Sequence, residues 1–174
     1  MSTFTKLLAL VALLIPSIGS AQDYPSKVVT VVIPFSPGGS NDTVGRWLAD
    51  SLGKLWKQTV VVENKAGGGT VIGTSYVANS PPDGLRMLLV SSSFSTNAAT
   101  RADQAFDPSL LRPAAMVATG HVAVVTGARV PMASLADLAR EAKSKPLFFA
   151  TSGVGSAQHF YGELLKDAMG IEMT

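Results

Sequence analysis

At 174 residues, 47% hydrophobic and 15% charged, the chain is long enough to bury a core and too apolar to remain disordered. Its 14 Lys and Arg against 12 Asp and Glu leave a net charge of +2 with no basic block, which argues against nucleic acid as a partner. With no cysteine, a disulfide framework and a thiolate metal site are excluded.

The chain begins with Lys6, an apolar run from Leu7 to Ile15, a breaking Pro16 and the small residues Gly19, Ser20 and Ala21. That is the pattern of a secretory signal, with cleavage expected after Ala21, and the run is too short to span a bilayer. A mature chain lacking cysteine offers no site for a lipid anchor, so the expectation is a soluble exported protein with no stable membrane insertion.

Residues 28–33 form a continuous, mostly β-branched run that predicts a strand buried on both faces, as at the centre of a parallel sheet. Pro34-Phe35-Ser36-Pro37-Gly38-Gly39-Ser40-Asn41-Asp42 follows as a tight loop opening a helix. In that helix Val44, Trp47, Leu48, Leu52 and Leu55 are expected to form the buried stripe, with Arg46, Asp50 and Lys54 facing water. A second strand is expected over 59–63, a helix over 70–79, a Ser-Pro-Pro-Asp-Gly turn at 80–84 and a third strand over 87–91. Strands and helices alternating through short connections predict a parallel sheet.

Residues 92–112 read as a crossing between lobes, with a short helix near 98–104. A further strand is expected over 116–126, holding His121 as a core or edge residue. Ser134 is expected to cap a helix ending near Lys143, with Asp137 at its positive end, and 147–150 to form a short buried strand. Thr151-Ser152-Gly153-Val154-Gly155-Ser156 then opens a helix carrying His159, Phe160, Leu164, Leu165 and Met169.

Strand, Gly/Ser loop and helix start therefore occur twice, and ligands of open α/β sheets bind outside the carboxyl ends of strands. Each loop is a candidate anion seat, because glycines allow close backbone approach and helix starts leave N–H groups unpaired. Micromolar binding needs about 8 kcal/mol, whereas a helix dipole gives an anion about 0.3 to 1 kcal/mol, so direct hydrogen bonds from both loops must supply most of it.

Catalysis is not expected. Ser156 and His159 lie one helical turn apart, but the chain has no G-x-S-x-G elbow and no evident third group to orient the imidazole, so no catalytic residue is assigned. Two isolated histidines make a metal site improbable. One alternative is a dinucleotide-binding Rossmann-like enzyme, since Gly67-Gly68-Gly69-Thr70-Val71-Ile72-Gly73 follows a strand and opens a helix. Its spacing is G-x-G-x-x-x-G, and Asp83, the acidic residue beyond it, belongs to a turn, so no cofactor is assigned.

The ordered motifs Tyr24-Pro25-Ser26-Lys27, Pro34-Phe35-Ser36-Pro37-Gly38-Gly39 with Asp42, Val60-Val61-Val62-Glu63-Asn64-Lys65-Ala66-Gly67-Gly68-Gly69, Pro81-Pro82-Asp83-Gly84 and Ala150-Thr151-Ser152-Gly153-Val154-Gly155-Ser156 with His159, Gly162, Glu163 and Leu164 resemble the periplasmic receptors of tripartite tricarboxylate transporters, the Bug proteins. Leu85-Arg86 departs from the family pattern, which has an aromatic residue and Thr there. The resemblance implies an α/β fold of the type II periplasmic-binding-protein kind, with two Rossmann-like lobes and mostly parallel sheets. It implies a signal peptide over 1–21, the first portion of one lobe over 22–112 and of the other over 113–174. Family members are about twice this length, so both lobes are expected to be incomplete here, with unpaired strand edges and uncovered apolar faces.

By the same resemblance the function is capture of a small carboxylate for the transporter's membrane components, a carboxylate sensor or interaction protein being the other alternative. The ligand-facing set is Phe35, Gly38, Gly39, Asp42, Ser92, Ser93, Thr151, Ser152, Gly153, Gly155, Ser156 and His159. Within it Gly38, Gly39, Thr151, Ser152, Gly155 and Ser156 are expected to donate hydrogen bonds to carboxylate. Asp42 would repel a bound carboxylate, so capping the helix or holding the loop is favoured for it over direct contact.

Overall fold

The computed structural model describes residues 24–100, 106–130 and 132–174. The expected signal sequence and the far end of the helix expected near 98–104 lie outside these.

Strand β1 (Val29–Ile33) is the centre of a three-stranded parallel sheet of order β2-β1-β3, with β2 at Val60–Asn64 and β3 at Arg86–Leu88. Val31 stands opposite Val62 on one side and Met87 on the other. Four of the five β1 side chains are buried, as an apolar run covered on both faces requires. From β1 the chain crosses to one side to make β2 and then returns to the other to make β3. The carboxyl end of β1 is therefore a switch point, where the loops after β1 and β3 diverge and leave a crevice.

Helix α1 (Ser40–Trp56) packs on β1 and β2, but not through the expected stripe. Its buried positions are Asp42, Gly45 and Ala49. Gly45 lies so close to Ile33 and Leu89 that a β-carbon would overlap the Ile33 Cδ1 methyl. A helix brought this near the sheet uses its smallest side chains as the seam. Val44, Leu48 and Leu52 are half-buried on the flank, and Trp47 and Leu55 are 64% and 73% exposed. Arg46, Asp50 and Lys54 face water as expected.

After β2 a 3-10 turn (Gly68–Thr70) leads into α2 (Val71–Ala78). There Gly73 abuts Pro34 and the Lys65 carbonyl, leaving no room for a β-carbon. After β3, which is shorter than expected, α3 (Ser93–Thr100) starts well before the expected position. It is not a mere crossing, because Ser93 and Asn97 are buried on one face of it.

In the second half, α4 (Leu135–Ser144) has Ser134 as its N-cap, whose hydroxyl accepts from the Asp137 amide at 3.2 Å. Helix α5 (Ala157–Met169) ends at Gly170 in the left-handed conformation. Leu138, Ile171 and Met173 form a second core, separate from that of Val31, Ile33 and Ala49.

Two expected strands do not form as such. The 116–126 segment joins no ladder among the described residues, and Met116, Val122, Val124, Val125 and His121 are exposed, because an apolar, β-branched run makes a strand only against a neighbouring ladder. The 147–150 segment is not uniformly buried: Phe148 is exposed while Leu147 and Phe149 reach the second core. Its ladder is one bridge, in which the Phe149 amide donates to the Thr174 carbonyl and the Thr174 amide to that of Leu147, both at 2.9 Å in the parallel pattern. Strand-like segment, α5 and Thr174 thus repeat the parallel crossover of the first half. Among the described residues no helix is long and apolar enough to cross a membrane.

Candidate functional site

The first loop is organised by one carboxylate. Asp42 Oδ2 accepts from the Gly38 amide and from Arg46 Nε, each at 2.9 Å, and Oδ1 accepts from Asn64 Nδ2 at 2.9 Å. Asn64 also donates to the Phe35 carbonyl at 3.1 Å and accepts from Arg46 Nη2 at 3.2 Å. The hydrogen bond from Arg46, followed by those from Gly38 and Asn64, holds the Asp42 carboxyl well below the usual carboxylate range. Asp42 is therefore a buried anion held by three donors, and it holds the loop. It does not cap the helix, because Gly39 is the N-cap and Asp42 lies in the first turn.

That leaves the start of α1 open. Gly39 has no side chain to satisfy the first amides, and among the described residues no side chain caps them. A β-carbon on Gly38 would meet nothing within 4 Å, and one on Gly39 only the Ser36 carbonyl at 3.9 Å. The positive φ of Gly38, 87°, turns its own amide back onto Asp42. The first intrahelical bond is donated by the Thr43 amide to the Gly39 carbonyl, so among the described residues the amides of residues 39–42 have no partner, and of these Gly39, Ser40 and Asn41 are not buried.

The second loop is satisfied differently. Ser156 caps α5, its hydroxyl accepting from the His159 amide at 3.2 Å, and the Ala157 amide donates to Ser93 Oγ at 3.0 Å. The Gly153 amide donates to Thr151 Oγ1 at 3.2 Å, the Ser156 amide to the Gly153 carbonyl at 3.0 Å, and Ser152 Oγ to Gln158 Oε1 at 2.9 Å. The loop rests on the turn after β2: a β-carbon on Gly69 would lie 2.5 Å from the Val154 carbonyl oxygen and 3.2 Å from the Gly155 carbonyl carbon. Gly69 and Ser93 both follow sheet strands at their carboxyl ends. Both loops are thus brought to one end of one sheet.

Several expected ligand residues are engaged in other ways. The Gly38 amide and the Ser156 hydroxyl are committed inside the protein. Phe35 packs on the first core. Ser93 is fully buried, and Ser92 takes a long 3.4 Å contact from the Tyr161 hydroxyl. The His159 ring stacks on Phe149, with centroids 6.4 Å apart and planes 15° off parallel, and its Nε2 is 3.9 Å from Glu163 Oε1. With its hydroxyl buried and used as a cap, Ser156 is not set as a nucleophile. The face of Gly69 that a dinucleotide's pyrophosphate would approach is filled by the Val154–Gly155 backbone, which counts against the dinucleotide alternative. Among the described residues no three of His, Asp and Glu cluster as a metal would need.

Sequence reasoning missed Arg46, Asn64, Thr70 and Asn97. Thr70 is a buried β-branched residue at φ 88°, a conformation that costs about 1 to 3 kcal/mol and persists only where its surroundings impose it. Asn97 Nδ2 donates to the Gly69 carbonyl at 2.6 Å and to Thr70 Oγ1 at 3.3 Å. The available signal was the spacing of Ser93 and Asn97, two polar residues four apart on one helix face.

A parallel sheet with a switch point, two separate cores and two glycine loops at one sheet end define the α/β fold of a periplasmic binding protein. The solved periplasmic binding protein BugD matches with a TM-score of 0.68 at 30% identity, over 86% of this chain and 51% of that one. The R. palustris protein Rpa4515, solved with adipate, matches with a TM-score of 0.72 at 30% identity, over 87% and 52%. BugT of Bordetella pertussis is 36% identical over 176 residues, covering 93% of this chain and 53% of that protein, and a UPF0065 protein from the TAR-I ttuE-ttuC' intergenic region of Agrobacterium vitis is 34% identical over 169 residues, covering 95% and 49%. Residues 44–174 match the tripartite tricarboxylate transporter family receptor model, and the chain belongs to that family. It spans about half the length of the relatives it matches.

Proposed function

We propose that the chain contributes the small-carboxylate seat of a periplasmic solute-binding protein serving a tripartite tricarboxylate-type transporter, with its lobes meeting near residue 112 and its first 21 residues acting as a cleaved export signal. The observation that carries this reading is the uncapped start of the 17-residue helix α1, opened by Gly38 and Gly39 and held by Asp42. An anion there gains the unpaired amides and the helix dipole together. Family membership supports the receptor role, and Rpa4515, solved with adipate, supports an aliphatic carboxylate as the ligand class.

One carboxylate group lies against the Gly39, Ser40 and Asn41 amides, and the rest of the ligand reaches toward Thr151, Ser152 and Gly155. Asp42 stays clear of the ligand, being buried, held by three donors and of the same charge as a carboxylate. Two open depressions, around Glu163, Lys166 and Ile171 and around Lys143, Leu147 and Met173, contain no residue of either loop and are not the seat.

Calorimetry with succinate, adipate and citrate tests the proposal, on the chain itself and on the chain extended by the carboxyl-terminal half of BugT. Heat of binding from at least one acid supports it; silence from both proteins with all three refutes it.

A further inference from the structure

Ser93 was expected to face the ligand, yet it is 0% exposed and its hydroxyl is spent on an amide 64 positions away. That amide is Ala157, the first residue of α5 and the one directly after the second Gly/Ser loop. One turn further along α3, Asn97 is 2% exposed and holds the Gly69 carbonyl at 2.6 Å. Gly69 in turn lies against Val154 and Gly155 from beneath. Two side chains on one face of α3 thus fix the second loop, one directly and one through Gly69. Both belong to the half of the chain that carries the first loop. Apart from its Ser156 cap, the loop's helix start would otherwise leave a buried amide unpaired, which is costly.

We propose that Ser93, supported by Asn97 and Gly69, is a positioning residue that sets the Thr151–Ser156 loop from the first lobe, so that both sides of the carboxylate site are tied at one end of the sheet. This rests on the carboxylate reading above and adds a separable claim. That claim is that the second loop, whose flanking segment and helix pack on the Leu138–Ile171–Met173 core, is also held to the first half of the chain through the Ser93–Ala157 hydrogen bond.

The test compares Ser93→Ala, Ser93→Thr and Gly69→Ala with the unmutated protein, by amide NMR without ligand and by adipate titration of the BugT-extended chain. In Ser93→Ala the Ala157 amide resonance should move upfield and exchange faster, while the Val31 and Val32 amides stay unchanged and show the sheet intact. Adipate binding should weaken about tenfold, near the upper end for one lost hydrogen bond. Ser93→Thr, which keeps the hydroxyl, should restore the Ala157 resonance and most of the affinity. Gly69→Ala, which drives a methyl at the Val154 carbonyl, should shift the Gly155 and Ser156 amides and weaken adipate without touching Ser93.

An Ala157 amide unmoved in Ser93→Ala would overturn the latch. So would a displaced amide in Ser93→Ala combined with unchanged adipate affinity. An unmutated protein that binds no carboxylate would refute the ligand reading instead, and the Ala157 amide would still decide whether Ser93 holds the loop.

Discussion

The two Gly/Ser loops look alike in sequence and are built on opposite plans. The first is clamped from within, by an anion of its own helix held on Gly38, Arg46 and Asn64, and its helix start is left bare. The second has its helix start closed by Ser156 and Ser93 and is braced from outside by Gly69. A glycine-rich loop before a helix is thus not by itself a binding seat. What matters is which of the four unpaired amides the protein has already satisfied.

The sharpest way to break this contrast is to remove the clamp. Asp42→Ala deletes the acceptor of three donors at once, and it should lower the melting temperature by several degrees and abolish measurable adipate binding while leaving the Ala157 amide in place. Thermal melts and the titration check both. Next in size is Gly39→Asp, which supplies the cap that α1 lacks. Its carboxylate should occupy the open amides, stabilise the helix by about 0.3 to 1 kcal/mol, and exclude adipate. A variant that melts higher and binds worse is the signature of a seat filled from inside.

Acid separates the loops more gently. Because the folded Asp42 carboxyl is depressed below its ordinary 3.8, the unfolded chain binds more protons between the two values. The clamp's contribution is therefore complete above about pH 5 and is lost as pH falls below 3.8 toward the depressed value. The Gly38 amide should exchange faster over that descent, while Ala157, whose partner is a hydroxyl, should not follow it. Smallest of all, Tyr24→Phe removes a 2.7 Å hydrogen bond to the Gly84 carbonyl at an exposed site away from both loops. It should cost about 0.5 to 1 kcal/mol in denaturant melts and leave adipate binding unchanged.

The order of elements was legible because it rests on local signals. A β-branched run makes β1, and glycine after it opens α1; Ser134 caps its helix with the hydroxyl bond that the pattern predicts, whereas Ser156, expected to donate to the ligand, turns out to be a cap as well. The buried face of α1 was not legible, because apolar periodicity assumes that large residues seek the core. Here Gly45 lets the helix approach until Trp47 is turned outward. The 116–126 segment shows the same limit for strands: an apolar, β-branched run records a capacity to pair, and pairing needs a neighbour.

For the site, a loop-holding role for Asp42 was readable from like-charge repulsion and from the preference of Asp for helix starts, although the cap itself fell to Gly39. The Asp42 partners Arg46 and Asn64 were not, because the second comes from the next strand. Ser93, Asn97 and Thr70 act across sequence separations of 27 to 64 residues, where only the fold supplies the pairing.

A structure of the BugT-extended chain with adipate tests the central claim most directly. The account predicts one ligand carboxylate within hydrogen-bond distance of the Gly39, Ser40 and Asn41 amides, with the Asp42 carboxylate still on Gly38 and Arg46. Adipate bound away from the carboxyl end of β1, or in direct contact with Asp42, would contradict it.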